Sequence, residues 1–490
     1  MIETMLLRTS GRVLAVIVAF SLSAGAPDRA WAQAARVLSA ADVLDSSAAH
    51  FPSILESLAQ RRGADAALLE AQGAFDLVFG ADGSSRTAGL YDGSVIDSGM
   101  RQNFGPLGSS AYVGYRLSDG DFPIYEDINY TNDRGELKIG LLFSLLRDRD
   151  IDERRYRQTD ATLAIREADF DLLLTRIGVQ QRALAAYWRW VTAGRQLDVY
   201  DTLLQIALDR ETGLEEQVRS GARAEIFLVE NRQNITRRQR LATNAQREFQ
   251  GAAYTLSLYY RDADGNPLSP GADQLPPAPP IGAIEPLAVG AGFSASGGVM
   301  QRPELQILRT AIERAGNRVA LAENSLKPRV DLNFEVSHGV GSVAEGGLSR
   351  DSTDAVVRLN FSVPLQQRSA RGRLGRERAQ IEALQQQQRL QQDLLEVEVK
   401  DILLELNVSE DLLRLAGQEV EQAETMRDAE QSRFESGASD FFLVNIREER
   451  AADARIQYLG ADLERRIARI NFDSMTMDLE RLGIGSSTGP

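Results

Sequence analysis

Arg219-Ser220-Gly221-Ala222, followed by Phe227-Leu228-Val229-Glu230-Asn231-Arg232, has a near copy later in the chain. The copy is Glu435-Ser436-Gly437-Ala438, followed by Phe442-Leu443-Val444-Asn445-Ile446-Arg447, with the spacing changed by one residue. Each copy follows a helix-forming stretch of about 70 residues and precedes one of about 30–40. These stretches contain no proline: none occurs between Pro123 and Pro267, or between Pro364 and Pro490. Proline in a helix interior removes a donor and clashes with the preceding turn, so its absence permits long helices. A helix that reverses onto an antiparallel partner commonly ends with glycine in the left-handed region, and Gly221 and Gly437 fit that position. A repeat of about 200 residues is too long for a solenoid unit and reads as a duplicated strand–helix–turn–helix module. At about 1.5 Å per residue, such a helix reaches roughly 100 Å, which suits a rod or tunnel better than a compact domain.

Working outward, seven of the 15 prolines fall within 267–286, which reads as an extended linker between two halves. The expected plan is a first repeat over 33–260, a Pro/Gly-rich linker over 261–300, a second repeat over 301–480 and a flexible tail over 481–490. Residues 1–32 read as a cleaved signal peptide. Arg8 and Arg12 precede the apolar run Val13 to Leu22, and Ala30-Trp31-Ala32 supplies the small-residue end.

Composition excludes several functions. The 490 residues include 0 Cys, which removes disulfide scaffolds, thiol chemistry and cysteine-based metal sites. The 2 His, His50 and His338, are far apart, so no catalytic or metal cluster can be built around them and no enzyme activity or cofactor is expected. A net charge of -15 makes nucleic acid a poor partner. Asp148, Asp150 and Asp152 sit at a strand-to-helix junction and read as charges offsetting the helix dipole.

Four segments alternate with period two. Phe75, Leu77 and Phe79 mark the first. Leu137, Ile139, Leu141 and Phe143 mark the second, with Leu142 breaking the pattern. Val330, Leu332, Phe334 and Val336 form the third, and Val357, Leu359 and Phe361 the fourth. Apolar residues on one side and charged or polar ones on the other are the pattern of strands between lipid and water. Residues 84–135 leave two readings open, an added strand around Tyr112 to Leu117 or a long loop. The helices carry stripes of period near 3.5: Phe170, Leu173, Ile177, Leu184, Tyr187 and Val191 in the first half. In the second half Leu390, Leu394, Val397, Leu404, Val408, Leu412 and Leu415 do the same, which predicts coiled-coil packing.

The mature chain as a whole resembles TolC-type outer-membrane efflux proteins. The resemblance rests on the duplicated unit, on Arg302-Pro303-Glu304-Leu305 and on Lys327-Pro328-Arg329-Val330-Asp331-Leu332. Phe361-Ser362-Val363-Pro364-Leu365, leaving a strand, completes it. It implies a mixed α/β membrane protein: a homotrimer whose 12-stranded β-barrel, four strands per chain, continues into a periplasmic α-helical coiled-coil barrel. Strand arithmetic agrees, because four strands cannot close a barrel and the smallest have about eight. The resemblance further implies a passive outer-membrane channel of a tripartite export system in a Gram-negative bacterium, with no chemistry of its own. Its partners would be a periplasmic adaptor, an inner-membrane pump or secretion ATPase, and outer-membrane lipid. Small-molecule efflux is the favoured cargo class. A type I protein-secretion channel of the same fold, or a pore-less periplasmic coiled-coil protein, is the alternative. By the same resemblance Arg219, Ser220, Gly221 and Ala222, with Ser436, Gly437 and Ala438, are the expected adaptor-contact tips. Some relatives ring the tunnel entrance with acids; here that stretch offers Asp440, Leu443, Ile446 and Glu448. Asp440 either forms a weak acidic ring or simply caps the returning helix.

Overall fold

The computed structural model describes residues 37–123, 129–281, 300–343 and 352–485, so the expected signal peptide lies outside the described residues. Helix α1 (Ala40–His50) begins at Ser39, whose hydroxyl accepts from the Asp42 amide. Helix α2 (Pro52–Gln72) starts with proline, whose missing N–H costs nothing at that position. Four strands follow: β1 (Val78–Arg86), β2 (Gly93–Asn103), β3 (Ser110–Gly120) and β4 (Glu136–Ser144). Helix α3 (Glu153–Arg219) runs 67 residues and is capped by Asp152, which accepts from the Arg155 amide at 2.9 Å. Helix α4 (Ile226–Ser257) returns alongside it.

The second half repeats this order. Helix α5 (Pro303–Asn324) is followed by β5 (Arg329–Gly339), β6 (Thr353–Ser362), the 68-residue α6 (Arg368–Glu435) and α7 (Phe441–Met475). The duplicated unit is therefore helix, strands, long helix, tight turn and returning helix. The leading helices, 21 and 22 residues long, extend the repeat beyond the expected module.

The strands form one antiparallel sheet in sequence order, β1-β2-β3-β4-β5-β6. This corrects the expected four strands per chain: among the described residues the first half supplies four and the second half two. Residues 84–135 hold β2 and β3, each 11 residues long and paired along their whole length. Their period-two signal is diluted by Ser94, Ser98, Gly99 and Gly114. The first expected segment is also displaced. Phe75 closes a 3-10 turn, and β1 begins only at Val78.

The rod is held by stripes at helical spacing. Val179, Ala183, Tyr187 and Trp190 of α3 pack against Val43 of α1, Ile54 of α2 and Phe249 and Leu256 of α4. In the second half Leu395, Val399, Ile402 and Leu406 of α6 meet Leu305 of α5 and Phe472 of α7. Ile177 and Leu184 join Ile470 and Leu482, so the two halves share a core. Arg314 of α5 clamps α3, with Asp160 at 2.8 Å and Glu167 at 2.5 Å; the Asp160 hydrogen bond, followed by that of Glu167, raises the guanidinium pKa above its ordinary value.

Three further expectations change. The second-half stripe from Leu390 to Leu415 does not line the chain's own core; each of its seven members is at least 46% exposed. The inward face of α6 lies about one position away, through Leu395, Ile402 and Leu413. The linker, over its described part, is anchored where the Leu38 amide donates to Gln274 O at 2.9 Å and Leu275 covers Gly194, while residues 277–281 are exposed. Of the expected flexible tail, residues 481–485 are folded in, with Leu482 fully buried.

Trp190 is 0% exposed and stacks near Phe249 at 6.2 Å between ring centroids. Trp190→Ala should cost about 3–5 kcal/mol, because the cavity cannot collapse within a rigid helix seam. Denaturant unfolding in detergent, followed by helical circular dichroism, checks this; an unchanged midpoint would mean the seam is not the stabilising core.

Candidate functional site

Three places on the fold are candidates for a role beyond packing: the sheet faces, the two helix turns and a buried charge cluster between the halves.

Register fixes the sheet faces. The row Phe79, Met100, Val113, Ile139, Val336, Ala355 crosses all six strands as direct partners. The next rows on that face hold Leu141, Phe334 and Val357, then Phe143, Leu332 and Leu359, then Val330 and Phe361. Leu137 shares the face as well, beside His338. All the sequence-expected lipid-facing residues thus stand on one side. Phe79, Val357, Leu359 and Phe361 are each more than 60% exposed, an unfavourable surface for water and a suitable one for hydrocarbon.

The opposite face is polar. Arg116 pairs with Asp97 at 2.8 Å and Lys138 with Glu136 at 3.1 Å. The row Val78, Arg101, Tyr112, Gly140, Glu335, Val356 carries its most connected group. Tyr112 lies flat over Gly140, where any β-carbon would collide with the ring, and its hydroxyl donates to Glu335. Arg358 reaches the same carboxylate at 3.4 Å, and the Arg101 guanidinium sits 5.6 Å from the Tyr112 ring centre. Sequence reading missed this bridge, although a tyrosine flanked by glycine-rich strand partners was its available signal.

At the far end of the helices the duplicated motif forms two turns of the same construction. The Gly221 amide donates to Val218 O at 3.0 Å and the Ala222 amide to Gln217 O at 2.8 Å. Gly437 donates to Phe434 O at 3.0 Å and Ala438 to Arg433 O at 2.7 Å. Both glycines are left-handed, with φ of 74° and 76°, and nothing lies within 4 Å of where a β-carbon would stand. This hydrogen-bond pair ends a helix while satisfying its last carbonyls. Arg219, Ser220 and Ser436 are exposed beside these glycines. The two turns are neighbours: Phe227 packs on Phe441 and Phe441 on Phe434, while Arg223 covers the rings of Phe227 and Phe434.

The expected entrance residues separate in space. Asp440 caps α7, accepting from the Leu443 amide at 2.8 Å, which is the simpler of its two readings. Leu443 is 37% exposed, and Ile446 lines open grooves beside α4 and α6. Glu448 is buried instead. It takes Arg238 at 2.9 Å and a two-pronged bond from Arg210, which also donates to Asn445 at 3.0 Å. Arg238 is 0% exposed and donates its other nitrogen to Leu203 O at 2.8 Å. One acid of the second half therefore neutralises cations from α3 and α4 of the first. Among the described residues there is no group of three or more acidic, His or Cys side chains placed to hold a metal, and no helix is long and apolar enough to cross a membrane.

Residues 299–476 match the sequence model of the family described as outer membrane efflux protein. The chain has the fold of the TolC-type outer-membrane efflux proteins. It is similar to the Campylobacter jejuni CmeC outer membrane channel, with a TM-score of 0.63 and 12% identity over 89% of this chain and 85% of that one. The open-state Neisseria gonorrhoeae MtrE outer membrane channel matches with a TM-score of 0.64 and 14% identity, over 89% and 88%. The Vibrio cholerae outer membrane protein VceC gives 0.60 and 15%, over 89% and 95%. No curated protein sequence matches significantly. The efflux family consists of transport proteins rather than enzymes.

Glu448→Ala should destabilise the rod by about 3–5 kcal/mol, because it strands two arginines, one of them fully buried. The pair Glu448→Leu with Arg238→Met should cost less than Glu448→Ala alone. Limited proteolysis of the helical region at rising temperature compares the two; equal loss would show that the charges do not interact.

Proposed function

We propose that this chain is the outer-membrane conduit of a tripartite export system, working as a homotrimer and conducting cargo passively. The observation that carries the reading is the two-faced sheet set on helices of 67 and 68 residues. A face of exposed aliphatic and aromatic side chains backed by paired charges suits lipid on one side and water on the other. A pore-less periplasmic rod has no use for it. The exposed second-half stripe from Leu390 to Leu415 supports assembly, since a row of aliphatic side chains at heptad-like spacing calls for a neighbouring helix.

The function itself would involve no bond chemistry. Cargo delivered at the turn end would pass along a helical tunnel and leave through the sheet. Gly221 and Gly437, exposed and side by side, are the surface for a periplasmic adaptor, which in turn would engage an inner-membrane pump. Small-molecule efflux is the cargo class we propose; the family's description supports efflux as such. Asp440, Leu443 and Ile446 would stand near the entrance, with Glu448 holding the helices together behind them.

Two substitutions test the membrane face. Leu332→Arg should cost about 2–4 kcal/mol near the bilayer midplane and lower outer-membrane abundance, whereas Asn333→Arg, on the polar face, should be tolerated. Equal abundance of the two variants in outer-membrane fractions would reverse the assigned faces.

Gly437→Glu tests the docking turn. A β-carbon at positive φ costs roughly 1–2 kcal/mol, too little to prevent assembly. Normal outer-membrane abundance with lost export of a fluorescent efflux dye is the expected result. Normal abundance with normal export would make the turn a helix end only.

A further inference from the structure

We infer that all six strands of each chain stand in the membrane wall, so that three copies close an 18-stranded barrel, with β1 of one copy paired to β6 of the next. This rests on the trimeric channel proposed above and specifies how its wall is closed.

Strands β1 and β2 are not a flap beside a four-stranded unit. They are paired through 9 consecutive positions, Val78 with Arg101 to Arg86 with Gly93, and β2 is paired to β3 through 11. The apolar row reaches Phe79 and Met100 without changing side, and those residues are 64% and 50% exposed. If the hairpin left the wall, these side chains would face water and β3 would lose a full ladder of hydrogen bonds. On the inner side, Asp82 is partnered with Asp97, and Asp97 with Arg116, so the polar face also continues to the first strand.

The two edges match. β1 and β6 are exposed at every position, span 9 and 10 residues, and run in opposite directions because the six strands alternate. An unpaired edge in hydrocarbon leaves amide and carbonyl groups unsatisfied, which the bilayer does not tolerate. A second copy of this chain, turned about a three-fold axis, offers each edge an antiparallel partner.

Width follows from strand number. Barrel diameter grows roughly linearly with strand count, so 18 strands give a wall about 1.5 times as wide as 12, in the range where barrels of about 16–18 strands enclose water. The inner row is glycine on the first three strands, Gly80, Gly99 and Gly114, and carries side chains only from Lys138 onward. Gly99 allows no larger residue, since a β-carbon would stand 2.7 Å from Val113 O.

The chain has 0 Cys, so introduced cysteine pairs are the only thiols present. Ala81→Cys is combined in turn with Ala355→Cys, Val357→Cys and Leu359→Cys in the full-length protein, and Tyr115→Cys with the same three. Mild oxidation in outer-membrane fractions, followed by non-reducing gels, should give covalent trimers from the Ala81 series and only monomers from the Tyr115 series. Trimers from the Tyr115 series with an inert Ala81 series would overturn the inference and leave a four-strand trimeric channel standing. Assembled trimers without cross-links in either series also overturn this closure. A protein that extracts as a monomer would sink the channel reading itself.

Discussion

A strand in hydrocarbon has nowhere outside the protein to send its amide hydrogens. On the proposed channel reading, that constraint governs the sheet end of this molecule. It explains why the six strands pair without interruption, including β4 with β5, which are joined through the helices of the rod rather than by a short turn. It also explains the glycines. One face carries large apolar side chains and the other paired charges, and small residues such as Gly99 let the backbones of β2 and β3 lie flush. Tyr112 is the counterweight. Its ring fills the hollow left by Gly140 and its hydroxyl ties β3 to Glu335 two strands away.

The helical end solves a different problem. A rod this thin has little interior, so each helix can bury only a narrow stripe. The stabilising contacts are concentrated where α1, α2, α3 and α4 meet around Trp190, and where α5, α6 and α7 meet around Leu406 and Phe472. Between these seams and the aromatic cluster at the turns, buried charge joins the hydrocarbon. Arg210, Arg238 and Glu448 occupy a position that a leucine cluster could hold, and burying them costs desolvation. What they add is directionality: a guanidinium–carboxylate fork fixes the rotation of α3, α4 and α7 about their axes in a way that interchangeable aliphatic contacts do not.

Much of this was legible in the sequence. The two SGA turns were readable because glycine has one strong reason to sit between proline-free helical stretches, and the helices of 67 and 68 residues agree with that reading. The apolar faces of β4, β5 and β6 were readable because their large residues alternate cleanly. Strands β2 and β3 were not, because Ser98, Gly99 and Gly114 interrupt the alternation where curvature and close approach outrank hydrophobicity. The stripe on α6 was visible, but sequence periodicity does not say which of two adjacent helix faces meets the chain's own core. Glu448 illustrates the same limit. An acid near an expected opening looks available to solvent until the arginines converging on it from helices far away in sequence are seen.

The lengths of the helices divide the rod unequally. The two long helices run unbroken from the sheet to the turns, while their partners come in shorter pieces: α2 and α4 alongside α3, and α5 and α7 alongside α6. Only α3 and α6 are covalently continuous through the middle of the chain's length. A pull applied at the turns is carried to the sheet along two uninterrupted hydrogen-bonded ladders. The shorter helices hand over their share of the load sideways, through Trp190 and its neighbours in one half and Phe472 in the other. In mechanical terms these packed seams are splices in the rod, and the stiffness of its middle is set by how tightly they are filled.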